Sequence, residues 1–339
     1  MKRITVTQKE AGQRLDKLLA KFLNQAPKSF LYKMLRKKNI TLNGKKAAGN
    51  EKLVCGDVIR LFLADETIEK FSREVHIEVT GTNPLEILYE DDHILLINKP
   101  CGMLSQKDGS GEASLVEEIT AYLLGNGALT REELKSFRPS VCNRLDRNTS
   151  GIVVAGKTIE GLQTMGAVFR DRSLHKFYRC LVAGSIKEPD RIRGYLRKDE
   201  SRNQVRILKE PATREDRPIC TVYRPKAWGK DATLLEVELI TGRSHQIRAH
   251  LASIGHPILG DPKYGDTEQN RRYGEIFGLK YQLLHAYRLE FPKLEGTLSY
   301  LSGRVFTAPL PGLFAEIVRK KGLDRRGGEA DGNVEFQRP

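Results

Sequence analysis

The chain has 339 residues, with 57 Lys and Arg against 43 Asp and Glu, a formal net charge of +14 at pH 7. A composition that is 39% hydrophobic and 29% charged suits an ordinary soluble protein, and no apolar run approaches the roughly 20 residues of a membrane helix. The length predicts two folded units and a tail, and the Met-Lys-Arg start, with no apolar stretch behind it, predicts a cytoplasmic protein without a secretory leader.

Five cysteines, Cys55, Cys101, Cys142, Cys180 and Cys220, are odd in number, widely spaced and form no C-x-x-C pair. They are expected to be structural thiols rather than a disulfide frame or a zinc site. The charge is unevenly spread: residues 1–65 hold fifteen Lys or Arg against five Asp or Glu, a net +10. A solubilising surface would explain a uniform excess, whereas a concentrated one points to a module that docks on phosphates.

From Arg14, the residues Leu15, Leu18, Leu19, Phe22 and Leu23 recur on one face of a helix. Pro27 and Ser29 punctuate. A second helix carries Phe30, Leu31, Met34 and Leu35 on its apolar side and Lys33, Arg36, Lys37 and Lys38 toward its end. Asn43-Gly44 suits a tight hairpin turn ahead of Lys45 and Lys46, and Gly56-Asp57 introduces a strand over 58–63. The Arg14 to Leu19 run, the basic second helix, Leu42-Asn-Gly-Lys45 and Gly56-Asp-Val-Ile59 resemble an S4 domain over about residues 12–64. That resemblance implies RNA binding through the helix pair, with Arg14, Lys33, Arg36, Lys37, Lys38, Lys45 and Lys46 as contacts. The unit is taken as residues 1–64.

Residues 65–84 are mixed and polar and read as a linker. Two neighbouring strands follow, one from Leu85 and one over 93–99, ended by Pro100 and Gly102. A helix starts at Ser114, where Ser114 and Glu117 form a capping-box pattern. Then come a strand from Gly151, a helix over 160–170, a strand over 175–182, a strand over 233–240 and a helix over 244–254. Irregular alternation with two-sided apolar strands predicts an α+β fold with a large mixed, mainly antiparallel sheet over residues 85–321, preceded by the small α/β unit. The tail, 322–339, offers nothing to bury and is expected to be disordered.

Asp146 lies in a dense polar segment, Asn143 to Gly151, before an apolar strand. Alone it reads as a turn residue. Two other segments change that balance. Strand alternation puts Lys176 and Tyr178 on one face, and Arg243 stands where a strand gives way to a helix. With Asn98-Lys-Pro-Cys-Gly102, Arg144-Leu-Asp-Arg-Asn-Thr-Ser-Gly151, Lys176-Phe-Tyr178, Gly242-Arg-Ser-His-Gln-Ile-Arg-Ala-His250, Gly260-Asp-Pro-Lys-Tyr-Gly265 and Leu284-His-Ala286 in order, the chain closely resembles the RluA family of pseudouridine synthases from about Leu85 to Leu313. Asn143 departs from the family's usual His but only flanks the segment.

The resemblance implies that Asp146 is the catalytic carboxylate, that Tyr178 stacks on the uracil, that Arg243 is the ion-pair partner of Asp146, and that Arg144 fills the space a flipped uridine leaves in the RNA. It implies no cofactor. Combined with the S4 pattern it resembles the branch of the family that modifies large-subunit ribosomal RNA, free or in a pre-ribosomal particle, with transfer RNA also open as partner. The carboxylate can act at the ribose by attacking C1′ or by removing the C2′ proton, and both routes stay open. For Tyr178, a part in removing the C5 proton is expected, because a strand aromatic needed only for its ring could be Phe.

A uridine methyltransferase would need a Gly-rich nucleotide loop, and no G-x-G-x-x-G follows a strand. His245 and His250, five apart on a helix, do not face one another as a metal pair, and the H-x-E and P-C-x-x-C elements of a zinc deaminase are missing. The alternative from another class is a non-catalytic S4-type RNA-binding or ribosome-assembly factor.

Overall fold

The computed structural model describes residues 1–73, 84–199 and 204–324. Its first unit contains β1 (Lys2–Thr5), α1 (Leu15–Phe22), α2 (Lys28–Arg36), β2 (Ile40–Leu42), β3 (Lys45–Lys46), β4 (Val58–Leu61) and α3 (Asp65–Phe71). The four strands form an antiparallel sheet in the order β1-β4-β2-β3. The 3.6-residue apolar period acts as expected: Leu15, Leu18, Leu19 and Phe22 of α1 meet Leu31, Met34 and Leu35 of α2 in one buried cluster with Ile40, Ile59 and Leu61. Each such Leu contributes about 1.5–3 kcal/mol by burial. Asn43 and Gly44 both take positive φ, 51° and 75°, which a two-residue hairpin turn requires.

Residues 65–73 correct the linker reading. Asp65–Phe71 is a helix packed on the first unit, with the Phe71 and Phe30 ring centroids 4.6 Å apart. Its charged residues masked a single apolar pair, Ile68 and Phe71, that suffices to hold two turns against the cluster. Of the expected linker, residues 74–83 lie outside the described residues, as does 325–339 of the expected disordered tail.

The second unit is built on a sheet of eleven strands, in agreement with the expected α+β class. In chain order it runs β5 (Ile87–Glu90), β6 (Ile94–Lys99), α4 (Leu115–Gly125), β7 (Ser140–Val141), β8 (Ser150–Gly156), α5 (Ile159–Asp171), β9 (His175–Ala183), β10 (Asp190–Asp199), β11 (Gln204–Leu208), β12 (Arg217–Trp228), β13 (Ala232–Leu239), α6 (Gln246–Ser253), α7 (Thr267–Phe277), β14 (Leu284–Glu290), β15 (Val305–Thr307) and α8 (Gly312–Lys320). The main path is β11-β10-β12-β13-β9-β14-β8-β6-β5, with β15 on β14 and β7 on β8. Every pairing is antiparallel except β14 with β8.

Both sheet faces are covered at its centre, which explains the two-sided apolar strands. Leu95, Ile97, Val153 and Ala155 face α4 residues Leu115, Ile119 and Leu123, while Ile94, Leu96, Ile152 and Val154 face Met165 and Val168 of α5. As the spacing predicts, α4 begins after Ser114, and the Glu117 carboxylate accepts the Ser114 N–H at 2.9 Å. The parallel β8–β14 contact depends on Gly151, whose φ is +116° and where a Cβ would lie 2.2 Å from the Ala286 carbonyl oxygen. The two units touch directly. The Ile159 N–H donates to the Lys9 carbonyl at 2.9 Å, Gln163 Nε2 donates to the Gly12 carbonyl at 3.1 Å, and Lys9 Nζ pairs with Glu133 at 2.7 Å. Buried Glu10 accepts from Ser136 Oγ across the same seam.

Candidate active site

The polar segment before β8 is a loop pinned on both sides of one residue. Ser105 Oγ donates to the Leu145 carbonyl at 2.9 Å and accepts the Leu145 N–H at 3.1 Å. On the other side, the Arg147 carbonyl accepts from Gly102 N at 3.0 Å and from Lys99 Nζ at 3.1 Å. Lys99 is fully buried and also donates to the carbonyls of Pro100 and Met103, both at 2.8 Å. Burial pushes its ammonium down to about 8 from the ordinary lysine value. Asn143, the departure from the family pattern, braces β8 by accepting the Val154 N–H at 2.8 Å and donating to the Ile152 carbonyl at 3.2 Å.

Asp146, held between those clamps, is 28% exposed at its side chain and opens on a cleft of about 1080 Å³. A flipped nucleoside fits within such a volume. The cleft is strongly basic, with Asp146 and Asp108 the carboxylates among its described lining residues, against Arg144, Arg172, Lys176, Arg243, Arg248 and further cations. Tyr178, from the middle of β9, forms part of the wall, and its side is the one strand alternation assigned, shared with Lys176.

The structure pairs Asp146 with a different arginine from the one the sequence pattern suggested. Arg248 Nη1 donates to Asp146 Oδ2 at 2.9 Å, while its Nε and Nη2 hold the two oxygens of fully buried Asp261, each at 2.7 Å. Arg243 is exposed at the cleft rim and has no ion pair to Asp146 among the described residues. The reason is local. Arg243 lies in the turn before α6, His245 takes φ 54°, and the helix starts only at Gln246, so the side chain that reaches inward is the one a half-turn into the helix. Gln246, buried, fixes this turn by accepting from Arg243 N at 3.2 Å and from Thr241 Oγ1 at 2.8 Å. Arg248 belongs to the same His-Gln-Ile-Arg run, so the motif marked it although the reasoning chose its neighbour.

His245 also approaches the carboxylate, Nε2 lying 3.9 Å from Asp146 Oδ2, with Nδ1 3.0 Å from the Tyr264 hydroxyl. Burial lowers its affinity for a proton, opposing the pull of Asp146. The Tyr178 side chain is largely buried, and its phenol pKa is raised by that burial and then by the Asp146 charge. A phenol shifted upward holds its proton more tightly than an exposed tyrosine, and the Tyr178 side chain lines the cleft.

The remaining expected contacts divide by place. Arg144 is exposed at the cleft beside Asp146. Lys33, Arg36, Lys37 and Lys38 are exposed along α2 and just beyond it, and Lys45 and Lys46 on β3 are exposed too. Arg14, by contrast, is engaged within its own unit, donating from Nε and Nη2 to Asp16 at 3.1 and 3.0 Å.

A family model for RNA pseudouridylate synthase matches residues 93–253, the stretch that holds Asp146, Tyr178, Arg243 and Arg248. The ribosomal large subunit pseudouridine synthase C of Vibrio parahaemolyticus is 34% identical over 298 residues, 85% of this chain and 87% of that one. The chain belongs to the RNA pseudouridylate synthase family. The protein of the same description from Escherichia coli is 34% identical over 86% of this chain and 88% of its own. Among solved structures, human RNA pseudouridylate synthase domain containing 4 shares the fold with a TM-score of 0.56 at 22% identity, covering 70% of this chain and 92% of that one. Membership in this family makes the chain an RNA pseudouridine synthase, and the binding-factor alternative is not favoured.

Proposed function

We propose that this chain converts specific uridines of large-subunit (23S) ribosomal RNA to pseudouridine, with Asp146 as the acting carboxylate. The observation that carries the assignment of Asp146 is its placement: a partly exposed carboxylate in a basic cleft, oriented by Arg248 and adjoining the Tyr178 ring. The large-subunit target follows the description of the Vibrio and Escherichia relatives, and a ribosomal substrate goes with residence in the cytoplasm.

The target uridine must leave its stack, at a cost of a few kcal/mol, before its glycosidic bond is reachable. In this reading Arg144, exposed at the cleft beside Asp146, occupies the vacated position in the RNA. Tyr178 offers a ring to the extruded base, and Asp146, held ready by Arg248, acts at the ribose by attack on C1′ or removal of the C2′ proton. The N1–C1′ bond breaks, the detached uracil turns, C5–C1′ forms, and the C5 proton is lost while N1 gains one. All heavy atoms stay in the nucleoside, so the conversion balances without a co-substrate.

The first unit, with its exposed basic α2 end and β2–β3 hairpin, serves in this reading as an S4-type RNA-docking module over residues 1–64. Phosphate contacts of that kind supply affinity without sequence choice. Chemical labelling of pseudouridines in total RNA from cells with and without the protein tests activity and target together. Loss of signal at large-subunit positions is expected. Loss confined to transfer RNA would overturn the ribosomal assignment, and no change at any position would overturn the activity.

A further inference from the structure

Lys176 is placed unlike the other cations of the cleft. It belongs to the interior of β9, two residues before Tyr178 and on the same face, and is 8% exposed. Its ammonium forms no hydrogen bond or salt bridge among the described residues, yet it lines the cleft. A buried lysine with no hydrogen-bonded anion is costly, and burial and then the nearby Arg172 charge lower its proton affinity against the opposing pull of Glu238. Core packing would be served better by Leu or Met at this position.

The turn between α5 and β9 adds to that cost. Arg170 ends the last turn of α5 and Arg172 follows it at φ 66°; both are exposed and both line the cleft. Cations commonly complement a helix C-terminus, but that account covers only the arginines and not a lysine inside a strand. The one acid of the turn, Asp171, is already engaged by Ser173 N and Oγ at 2.9 and 2.7 Å. Three cations, Lys176, Arg172 and Arg170, therefore meet at this end of the cleft, while the acids that act on them are engaged elsewhere, Asp171 by Ser173 and Glu238 by His175 at 3.0 Å and Arg224 at 3.6 Å. A uracil carbonyl would need a single donor. A phosphate, with several acceptor oxygens and a full negative charge, accounts for the cluster.

We propose that Lys176 and Arg172, supported by Arg170, form a phosphate subsite that holds the RNA backbone next to the flipped uridine. The proposal rests on the RNA-modifying reading of the same cleft. Residues two apart on a strand lie about 6.5 Å apart, so a base on the Tyr178 ring and a neighbouring phosphodiester on Lys176 can be engaged together. The subsite would fix the strand on one side of the extruded nucleotide and help set the sugar against Asp146.

The test uses the full-length protein and an oligoribonucleotide hairpin containing a uridine mapped as a target, with the phosphate on each side of it replaced in turn by an uncharged methylphosphonate. Lys176→Met and Arg172→Gln are each expected to weaken binding roughly tenfold or more and to reduce the log-log salt slope by about 0.7–0.9, the share of one phosphate contact. With the relevant phosphate neutralised, wild type and variants should bind alike. Variants whose affinity and slope match wild type, or losses that simply add to that of the methylphosphonate at both positions, would overturn the subsite. Because Arg172 is exposed, its variant carries the comparison even if Lys176→Met folds poorly. Absence of pseudouridine from the wild-type reaction would instead overturn the activity, leaving the slope comparison to judge the subsite.

Discussion

Arg248 holds Asp146 at 2.9 Å with one edge of a guanidinium whose other edge is fixed by Asp261. The carboxylate proposed to act on RNA is thus oriented by a group that cannot swing away without abandoning a second, fully buried acid. Arg248→Gln is expected to lower pseudouridine formation at least about a hundredfold through misplacement of Asp146. It should also cost about 3–5 kcal/mol of stability by leaving Asp261 buried and unpaired. Adding Asp261→Asn should restore part of the stability in urea unfolding but not the activity. Recovery of both would show Arg248 to be a scaffold residue alone. Arg243→Gln, at the exposed rim, should weaken RNA binding and reduce activity less than Arg248→Gln.

Asp146→Ala should abolish pseudouridine formation while RNA affinity stays within several-fold of wild type, because affinity comes from phosphate contacts and stacking. Gel-shift binding beside single-turnover assays separates the two. Turnover by this variant would remove Asp146 from the chemistry.

For Tyr178, the raised phenol pKa favours a role for the ring over one for the hydroxyl as a base. Tyr178→Phe should keep single-turnover rates within about tenfold of wild type, whereas Tyr178→Leu, which loses the ring, should forfeit roughly 1–3 kcal/mol of base positioning. A far slower Phe variant with normal RNA binding, and an isotope effect with C5-deuterated uridine, would restore the hydroxyl to proton transfer.

Charge removal at the α2 end tests the first unit better than deletion, since the unit packs on the catalytic one through Lys9, Glu10 and Gly12. A combined Lys33, Arg36, Lys37 and Lys38 to Gln variant should fold normally, bind RNA more weakly and show a shallower salt slope. An unchanged slope would mean that this face meets solvent and not RNA.

His285 gives a prediction about pH. It is buried beside Ser150 Oγ, 2.9 Å from Nδ1, and burial lowers its pKa to about 4 from about 6.5. Between those values the unfolded chain binds more protons than the folded one, so stability falls as pH drops from about 6.5 toward about 4. The loss reaches about 3 kcal/mol by the lower limit. Urea unfolding at pH 7 and 4.5 should show a smaller decrease for His285→Gln than for wild type. Equal decreases would place the acid sensitivity elsewhere.

The elements with strong apolar period were legible from sequence: α1, α2, β6, β8, α5 and β9 all lie where the pattern put them. The long hairpins of β10, β11 and β12 were not, because charged residues such as Arg191, Arg193, Arg197 and Lys198 fall on both faces of β10 and break up the apolar alternation. In the cleft, the motif order identified the segments, and strand alternation correctly grouped Lys176 with Tyr178. Spacing could not choose between Arg243 and Arg248, since that depends on where the preceding turn ends and α6 begins. Nor could it reveal that Lys99 clamps the Asp146 loop, because its partners are backbone carbonyls, those of Pro100 and Met103 just after it and that of Arg147 far along the chain.

The seam joining Lys9 and Gly12 to Glu133, Ile159 and Gln163 makes the protein a caliper. Fastened in this way, the basic α2 end and the mouth of the cleft stand at a separation set by folded protein rather than by the reach of a loose tether. An RNA that uses both surfaces must therefore present a backbone and an extrudable uridine at the matching span. With the RNA docking proposed for α2, uridines in equally open loops at other distances from a docking element would be passed over without any base beyond the target having to be read.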